Sequence, residues 1–478
     1  MQEYEVLAKF VTNVLLVTAL GWYLITNLQW YNYKLSRVIL KHHKPQWHFF
    51  YFIIPFIAYY TTGMFFLIFF YFAVLPSLFL WHKKLDKKLV LTWRVKRFLM
   101  LLIFLTLFQN IICTVRDACE IYGVFLPISI AYIGSYIIEK YLFIEYKKRA
   151  KAKIESINNL QIIAVTGSYG KTSMKNFMTQ ILSKKYKVYS TPRSINTLSG
   201  IMGDINNSLP MDTQIYICEA GARERGDIYE ITTFLEPQII VVGKIGLAHI
   251  EYFKTLENIV RTKLEIIQSP RLKKAFVYKN VTNEQHDKVE FFGDDIKNIS
   301  ATLEGTDFEY NNKKYHTDVL GSFQTINIEA AIKIANEFEM NEDEIREAIS
   351  KLKPISHRLE MINAGGKIIL DDGYNGNIDG MLESIRLCSL HEGGNKVIVT
   401  PGLIESSEEL NLQLCNAIND VFDIVIVTGK LNATLFDQNI HVRQKTILHD
   451  KSKLTDILAS QTKSGDIILF ANDAPSFI

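Results

Sequence analysis

Four long apolar runs dominate the first 150 residues and constrain the fold of this chain more than any other feature. They cover 10–33, 47–81, 98–115 and 121–144, and only the last contains charged residues, Glu139 and Lys140 near its end. A helix of about 20 residues crosses the hydrocarbon core of a bilayer. Four such runs are too many for the buried helices of one soluble core, so we predict a membrane-embedded helical region at 1–150.

Basic residues predict how this region is oriented. One cluster follows the first run, a second precedes the third run, and a third follows the last run. Basic clusters favour the cytoplasmic side, so an even number of crossings must separate successive clusters. The 47–81 run must then fold back near 61–63, although it is short for two full spans. We expect an outer N-terminus, about five passes through the lipid bilayer and a cytoplasmic C-terminal part. The clusters are Lys34, Arg37, Lys41 and Lys44; Lys83, Lys84, Lys87, Lys88, Arg94, Lys96 and Arg97; and Lys147, Lys148, Arg149, Lys151 and Lys153.

Composition excludes several classes of protein. The chain has 53 basic and 50 acidic residues among 478, and a net charge of +3 predicts no nucleic-acid partner. The five cysteines are scattered without a CxxC pair, which predicts neither a disulfide framework nor a zinc site. The acidic start, MQEYE, argues against a cleaved signal peptide.

A glycine-rich loop opens the second part of the chain. The apolar run LQIIAV at 160–165 is typical of a strand, and MKNFMTQILSKK at 174–185 has the apolar spacing of a helix. Between them, backbone N–H groups and the helix N-terminus would bind phosphates, Lys171 would neutralise them, and a hydroxyl of Thr172 or Ser173 would reach Mg²⁺. The usual P-loop has a glycine where Val165 stands, so this is a shortened variant. It predicts binding of ATP and Mg²⁺ by Thr166, Gly167, Ser168, Tyr169, Gly170, Lys171, Thr172 and Ser173.

The loop sequence TGSYGKTS resembles the ATP loop of the Mur ligases, the ATP-dependent amide-forming enzymes of peptidoglycan precursor synthesis. Further strings resemble other family elements in the family order, and together they cover about 160–478. The resemblance is strongest to the branch that adds D-alanyl-D-alanine. The strings are SINTLSGI at 194–201, ICEAGARERGDI at 217–228, GLAHIEYFKTLENIVRTKLEI at 246–266, SHRLEMI at 356–362 and DDGYNGNIDGM at 371–381.

The resemblance implies a fold and an activity. The fold is an α-helical membrane region followed by α/β, with a P-loop central domain at 155–355 and a Rossmann-like C-terminal domain at 356–478. The implied reaction joins D-alanyl-D-alanine to UDP-N-acetylmuramoyl-tripeptide, by way of an acyl phosphate, with ATP converted to ADP and phosphate. A bacterial cytoplasmic-membrane location follows, with membrane-bound cell-wall synthesis proteins as further partners.

Two other functions stay open at the level of sequence. One is a related membrane-anchored amide ligase, such as a poly-γ-glutamate synthase. The other is a transporter or scaffold powered by a nucleotide domain, which the absence of an LSGGQ signature and the scarcity of intramembrane charges disfavour.

Site residues follow from the same strings. Glu219 ends an apolar strand and is a hard oxygen donor that suits Mg²⁺. The resemblance adds His249 and Lys263 to Thr172 and Glu219 as metal ligands, and makes Lys171, His249 and Lys263 catalytic. The matching lysine in related ligases carries a CO₂-derived carbamate, which requires Lys263 to be buried with its amine uncharged. The resemblance also assigns nucleotide contacts to Asn327, Arg358 and Asp372, and substrate contacts to Asn196, Thr197, Tyr374 and Asn375.

Three features depart from the family pattern. The family's G-x-H-N-x-x-N element is GSFQTIN at 321–327, in which Phe323 and Gln324 replace the His and Asn while Asn327 is kept. The G-x-M-x-E-L-G loop survives only in part, in TPGLIESSEE at 400–409. The soluble N-terminal domain that binds the UDP-sugar in the family is replaced by the apolar region.

Overall fold

The computed structural model describes residues 2–40, 42–85, 87–116, 119–193, 195–246, 250–282, 287–404 and 406–473. The chain divides into two compact units, Met1–Lys147 and Lys148–Ile478.

The N-terminal unit is helical, as its apolar runs predict. Turns of π-helix, Phe49–Ile53 and Phe70–Val74, join α3 to α4 and α5 to α6. The 47–81 run folds back where the sequence predicted, with Gly63 in the left-handed conformation (φ +54°) between α4 and α5. The helices are α1 (Gln2–Trp30), α2 (Leu35–Leu40), α3 (Gln46–His48), α4 (Ile54–Thr61), α5 (Phe65–Phe69), α6 (Leu75–Lys83), α7 (Trp93–Arg116) and α8 (Phe125–Ser156).

Three helical stretches of the described chain are long and apolar enough to cross a bilayer: Tyr4–Trp30, Phe65–Lys83 and Trp93–Arg116. Large apolar side chains such as Phe65 and Phe72 are exposed around these helices, whereas Phe70 and Phe98 are buried inside. Exposed apolar area on this scale marks a surface that meets something other than water.

Polar side chains inside this unit are paired with one another. Asn13 and Asn110 are fully buried, and the Asn110 Nδ2 donates to the Asn13 Oδ1 at 3.0 Å. The Asn13 Nδ2 donates in turn to the Tyr59 hydroxyl at 3.0 Å. These bonds link α1, α4 and α7. An unpaired amide would be costly in apolar surroundings, so the pairing stabilises this arrangement of helices.

A disulfide joins Cys113, near the end of α7, to Cys119. The expectation that the scattered cysteines form no disulfide is therefore wrong for this pair. Their six-residue separation matches no spacing motif, and only the turn between α7 and α8 brings the two sulfurs together. The other three cysteines, Cys218, Cys388 and Cys415, are buried free thiols.

The second unit begins with a six-stranded parallel sheet ordered β2-β3-β1-β4-β5-β6. The predicted apolar face of α9 is buried against it, with Phe177, Met178 and Ile181 in the core. The strands are β1 (Gln161–Thr166), β2 (Val188–Ser190), β3 (Ile215–Glu219), β4 (Ile239–Val242), β5 (Lys274–Tyr278) and β6 (Val289–Phe292). The helices are α9 (Lys171–Leu182), α10 (Leu198–Ser208), α11 (Asp227–Leu235), α12 (Ile250–Phe253) and α13 (Leu256–Leu264), followed by a 3₁₀ turn, Glu265–Gln268.

A small antiparallel sheet and two helices complete this part of the unit. The sheet consists of β7 (Ile296–Thr302), β8 (Gly305–Tyr310) and β9 (Lys313–Thr317). Helix α14 (Gln324–Glu337) supplies Ile328 and Ala331 to the core that buries the apolar face of α9, and α15 (Glu342–Ser350) follows it.

A second six-stranded sheet, ordered β10-β11-β15-β12-β13-β14, ends the chain. Only β10 runs antiparallel in this sheet, and the other strands are parallel, as in the α/β class of fold that the sequence predicts. The strands are β10 (Glu360–Ala364), β11 (Lys367–Asp372), β12 (Lys396–Thr400), β13 (Ile424–Thr428), β14 (Gln444–Leu448) and β15 (Ile467–Ala471). The helices are α16 (Ile378–Ser389), α17 (Glu408–Val421), α18 (Ala433–Asn439) and α19 (Leu454–Gln461), the last preceded by a 3₁₀ turn, Lys451–Lys453.

The disulfide predicts a specific thiol count. We expect three thiols to react with an alkylating reagent in the unfolded, unreduced chain and five after reduction, measured by intact mass. In the control variant Cys113→Ser, four thiols should react without reductant, because Cys119 has lost its partner. Five reactive thiols in the unreduced natural chain would contradict the pairing.

Candidate active site

The glycine-rich loop connects β1 to α9 in the arrangement that phosphate binding requires. Gly170 adopts φ +77° at the start of α9, and a Cβ there would lie 2.5 Å from the Asn327 Oδ1, so only glycine fits under α14. The backbone N–H groups of Ser168 and Tyr169 donate to the Lys244 carbonyl at 3.0 and 3.2 Å. The N-terminus of α9 therefore points at the loop, where its dipole favours an anion.

Lys171 lies over this loop. Its Nζ donates to the carbonyl oxygens of Gly167 at 2.9 Å and Ser168 at 3.2 Å. Burial lowers the pKa of Lys171, and the nearby Glu219 carboxylate opposes that shift. The ammonium group is thus held beside the turn on which phosphates would bind.

Glu219 stands at the carboxyl end of β3, as the sequence predicted, and is 4% exposed. Its Oε2 accepts a hydrogen bond from the Thr172 hydroxyl at 3.0 Å, and its Oε1 accepts one from the Asn196 Nδ2 at 3.3 Å. Three predicted site residues thus meet at one point. A carboxylate beside a hydroxyl is the oxygen-donor set that Mg²⁺ prefers.

Lys263 is buried on α13, with 3% of its surface exposed. Its pKa falls to about 7, chiefly because burial disfavours the charged form and next because the Lys171 ammonium lies nearby; Glu219 opposes the shift. A lysine on an amphipathic helix is ordinarily solvated, so the residues alone would misplace this one. Carbamylation requires a buried, uncharged amine, and a pKa of about 7 leaves about half of the buried Lys263 amine uncharged at neutral pH.

The predicted ligand His249 lies outside the described residues. Within the part of the chain that the structure describes, no group of three or more His, Cys, Asp or Glu side chains could hold a metal ion. Among the described residues, the predicted magnesium donors are the Thr172 hydroxyl, the Glu219 carboxylate and a modified Lys263.

Asp372 lies at the carboxyl end of β11 in the second sheet and is 1% exposed. Its Oδ2 accepts hydrogen bonds from the Asn375 Nδ2 and the Ser384 hydroxyl, both at 2.7 Å. Its Oδ1 is buried without a partner among the described residues. Burial raises the pKa of Asp372 to about 6. Leaving a buried acceptor unpaired is costly, and the hydroxyl of a bound ribose would satisfy it.

Arg358 projects from the segment that leads from α15 to β10. Its Nη1 donates to the Tyr374 carbonyl. Burial lowers the pKa of Arg358, while the carboxylates of Asp372 and Glu219 partly offset that shift, so the guanidinium lies in the field of both. Arg358 thus interacts electrostatically with one carboxylate from each sheet, Glu219 from the first and Asp372 from the second.

Besides Asn196, two more of the predicted substrate residues bond other groups of the protein through their side chains. The Thr197 hydroxyl caps α10 by accepting from the Gly200 N–H at 3.3 Å. The side chain of Asn375 holds Asp372, whereas Tyr374 is half exposed and available. The Asn377 side chain caps α16 by accepting from the Gly380 N–H at 2.9 Å.

Some contacts join segments around the first six-stranded sheet to segments around the second. They involve residues that were not predicted from the sequence. The Lys244 Nζ pairs with the Asp379 Oδ2 at 2.5 Å, beside the carbonyl that caps the loop. The Arg193 Nη2 donates to the Ser356 carbonyl at 3.1 Å, and its guanidinium lies 4.6 Å from the centre of the Tyr374 ring. No local motif signals these contacts, because each joins segments far apart in the chain.

Comparison with known proteins agrees with this geometry. Residues 165–335 match the model of the Mur ligase middle domain. Among curated relatives, UDP-N-acetylmuramoyl-tripeptide--D-alanyl-D-alanine ligase of Bacillus subtilis is 27% identical over 342 residues, covering 67% of this chain and 74% of the relative. The ligase of that name from Escherichia coli is 26% identical over 322 residues, covering 62% of this chain and 71% of the relative.

Solved structures show the same likeness. MurF ligase from Thermotoga maritima in complex with ADP aligns with a TM-score of 0.58 at 26% identity, covering 69% of this chain and 80% of that chain. MurF from Acinetobacter baumannii aligns with a TM-score of 0.59 at 20% identity, covering 69% and 77%, which shows the shared fold.

The titration of Asp372 predicts a pH dependence of nucleotide affinity. Protonation below about pH 6 removes the acceptor that would bind the ribose, so affinity for ADP should be constant above pH 7 and fall as the pH is lowered through 6. Calorimetric titration across pH 5–8 measures this. Asp372→Asn should bind ADP weakly without that pH step, whereas the control Asp456→Asn, at an exposed position on α19, should keep it. A natural chain with flat affinity from pH 5 to 8 would contradict the assignment.

Proposed function

We propose that this chain, a Mur ligase by its middle domain, is an ATP-dependent ligase that adds D-alanyl-D-alanine to UDP-N-acetylmuramoyl-tripeptide. One observation carries the proposal: the Thr172 hydroxyl bonds the buried Glu219 carboxylate at the carboxyl edge of the first sheet, with the Lys171 ammonium over the adjoining loop. Lys263 and Arg358 interact electrostatically with that carboxylate, and Arg358 also interacts with Asp372 of the second sheet. ATP-dependent activation of a carboxylate needs this concentration of cations and oxygen donors around the phosphates.

Each residue has a distinct task in this reaction. The terminal carboxylate of the tripeptide attacks the γ-phosphate of ATP, and ADP leaves. The dipeptide amine then attacks the acyl carbon of the acyl phosphate, and phosphate is expelled. Lys171 and Arg358 neutralise the phosphates, and Asp372 binds the ribose. Glu219 and Thr172 would hold Mg²⁺, which supplies Lewis-acid stabilisation of charge on the phosphoryl oxygens when bound.

The N-terminal unit is proposed to embed in the cytoplasmic membrane of a bacterium with about five passes, leaving the α/β part in the cytoplasm. The three basic clusters support this orientation. The disulfide gives independent support, since Cys113 and Cys119 flank the α7–α8 connection that should face the oxidising exterior. Such a tether confines the reaction to the membrane surface, where a membrane-bound cell-wall enzyme could take the product.

The relatives do not favour the second ligase interpretation, a poly-γ-glutamate synthase. The proteins of Bacillus subtilis and Escherichia coli that align with most of this chain are both named for transfer to the muramoyl-tripeptide.

A phosphate-release assay on the detergent-solubilised full chain tests the reaction. We expect release that requires ATP, Mg²⁺, UDP-N-acetylmuramoyl-tripeptide and D-alanyl-D-alanine together, with a ligated product visible by mass spectrometry. L-Glutamate should not replace the dipeptide. Lys171→Ala should lower kcat/KM by about 10²–10³-fold, because it removes a preorganised charge from the phosphates. Turnover with glutamate and none with the dipeptide would refute the assignment.

Modification of Lys263 is the second part of the proposal. The neutral amine attacks the carbon of CO₂, an N–C bond forms, and one proton is released to give an anionic carbamate that can bind Mg²⁺. With ¹³C-labelled CO₂ at fixed concentration, we expect a carbamate NMR signal that weakens as the pH falls through about 7, because the amine becomes protonated. Lys263→Arg should lack the signal and the ligase activity. A signal unchanged in Lys263→Arg would place the modification elsewhere.

A further inference from the structure

The backbone on both sides of Arg358 is held in an uncommon conformation. His357 has φ +61° and Leu359 has φ +58°, so two residues other than glycine adopt the left-handed region around a single arginine. Such conformations persist where neighbouring contacts over-determine them, and they concentrate at functional sites. The contacts that fix this segment therefore indicate what it does.

One of these contacts is a bond between His357 and Asp371. The His357 Nδ1 and the Asp371 Oδ2 are 2.5 Å apart, and Asp371 is fully buried at the end of β11. The carboxylate accepts from the ring N–H, which fixes the imidazole. On the other side of Arg358, Leu359 is buried in the core of the second sheet's domain. Both neighbours of the arginine are thus attached to that domain.

A second set of contacts joins the same segment to the loop after β11. The Tyr374 N–H donates to the His357 carbonyl at 3.2 Å, and the Arg358 Nη1 donates to the Tyr374 carbonyl. The His357 ring packs edge-on against the Tyr374 ring, with centroids 5.0 Å apart. Asp371 also accepts from the Gly373 N–H at 3.2 Å, so one carboxylate supports both the loop and the histidine.

We propose that His357 is a positioning residue that, through Asp371, fixes the Arg358 guanidinium relative to Asp372. Asp371 and Asp372 are consecutive on β11, so their side chains leave opposite faces of the strand. Asp371 holds the segment that carries Arg358, the phosphate-binding residue. Asp372 offers its unpaired oxygen to the ribose. The end of β11 thereby sets the spacing between two nucleotide contacts. This inference rests on the proposed function for the role of Arg358 on ATP phosphates.

His357→Ala tests the inference in the full-length protein. We expect the affinity for a non-hydrolysable ATP analogue and kcat/KM for ATP to fall about 10- to 100-fold, the range for misplacing a contact by about 1 Å. The KM for the dipeptide should not change. His357→Asn should recover most of the loss, because asparagine tolerates the left-handed conformation and its amide can donate to Asp371.

A matched control separates positioning from general stability. The His391 Nε2 lies 2.7 Å from the Gly465 carbonyl in the same domain, away from the described site. His391→Ala should leave ATP kinetics unchanged, and its unfolding temperature should match that of His357→Ala. If His357→Ala does not fold, Asp371→Asn, which keeps the side-chain volume, is expected to show the same selective loss of ATP affinity.

The outcomes distinguish this inference from the proposed function. Weaker ATP-analogue binding in His357→Ala supports the inference even if the natural chain ligates no dipeptide, in which case only the proposed function fails. Normal ligation with unchanged ATP affinity in His357→Ala overturns the inference alone. The inference would also be overturned if His357→Ala and His357→Asn lost ATP-analogue affinity equally and both unfolded at a lower temperature. That result would indicate a structural role for His357.

Discussion

The interaction between the buried carboxylate of Glu219 and the lysines around it is the one on which the site depends. Lys171, Lys175 and Lys263 all interact electrostatically with this carboxylate, and all three have lowered pKa values because burial disfavours their charge. Charges removed from water are costly unless partners compensate them. The phosphates of ATP would compensate the Lys171 charge, and Mg²⁺ would compensate the carboxylate. The arrangement is thus suited to Mg-ATP.

The proposed site draws on both six-stranded sheets of the second unit. The first sheet supplies the glycine-rich loop and Glu219, whereas the proposed ribose acceptor, Asp372, lies at the end of a strand in the second sheet. Arg358, on the segment between the two sheets, interacts electrostatically with both carboxylates. A site assembled from both sheets would exclude the water that hydrolyses an acyl phosphate.

Local features of the site could be predicted from the sequence, and features made by distant segments could not. The strand–loop–helix pattern placed the phosphate loop, the apolar spacing gave the buried face of α9, and the end of an apolar strand gave Glu219. Helix-capping patterns would have identified Thr197 as a cap, since such a residue accepts from an N–H three positions later. The burial of Lys263 and the His357–Asp371 bond arise from tertiary packing. The disulfide depends on a turn that no cysteine spacing motif describes.

Membrane embedding of the N-terminal unit would change where the proposed chemistry takes place and leave its nature unaltered, because every residue proposed to act on ATP lies in the second unit. In the proposed reaction the tripeptide carboxylate becomes an acyl phosphate. Substrate labelled with ¹⁸O in that carboxylate tests this step, because the attacking oxygen stays with phosphorus when the amide forms. We expect one ¹⁸O atom in the phosphate released at each turnover, measured by mass spectrometry. Release of unlabelled phosphate alongside ligated product would contradict it.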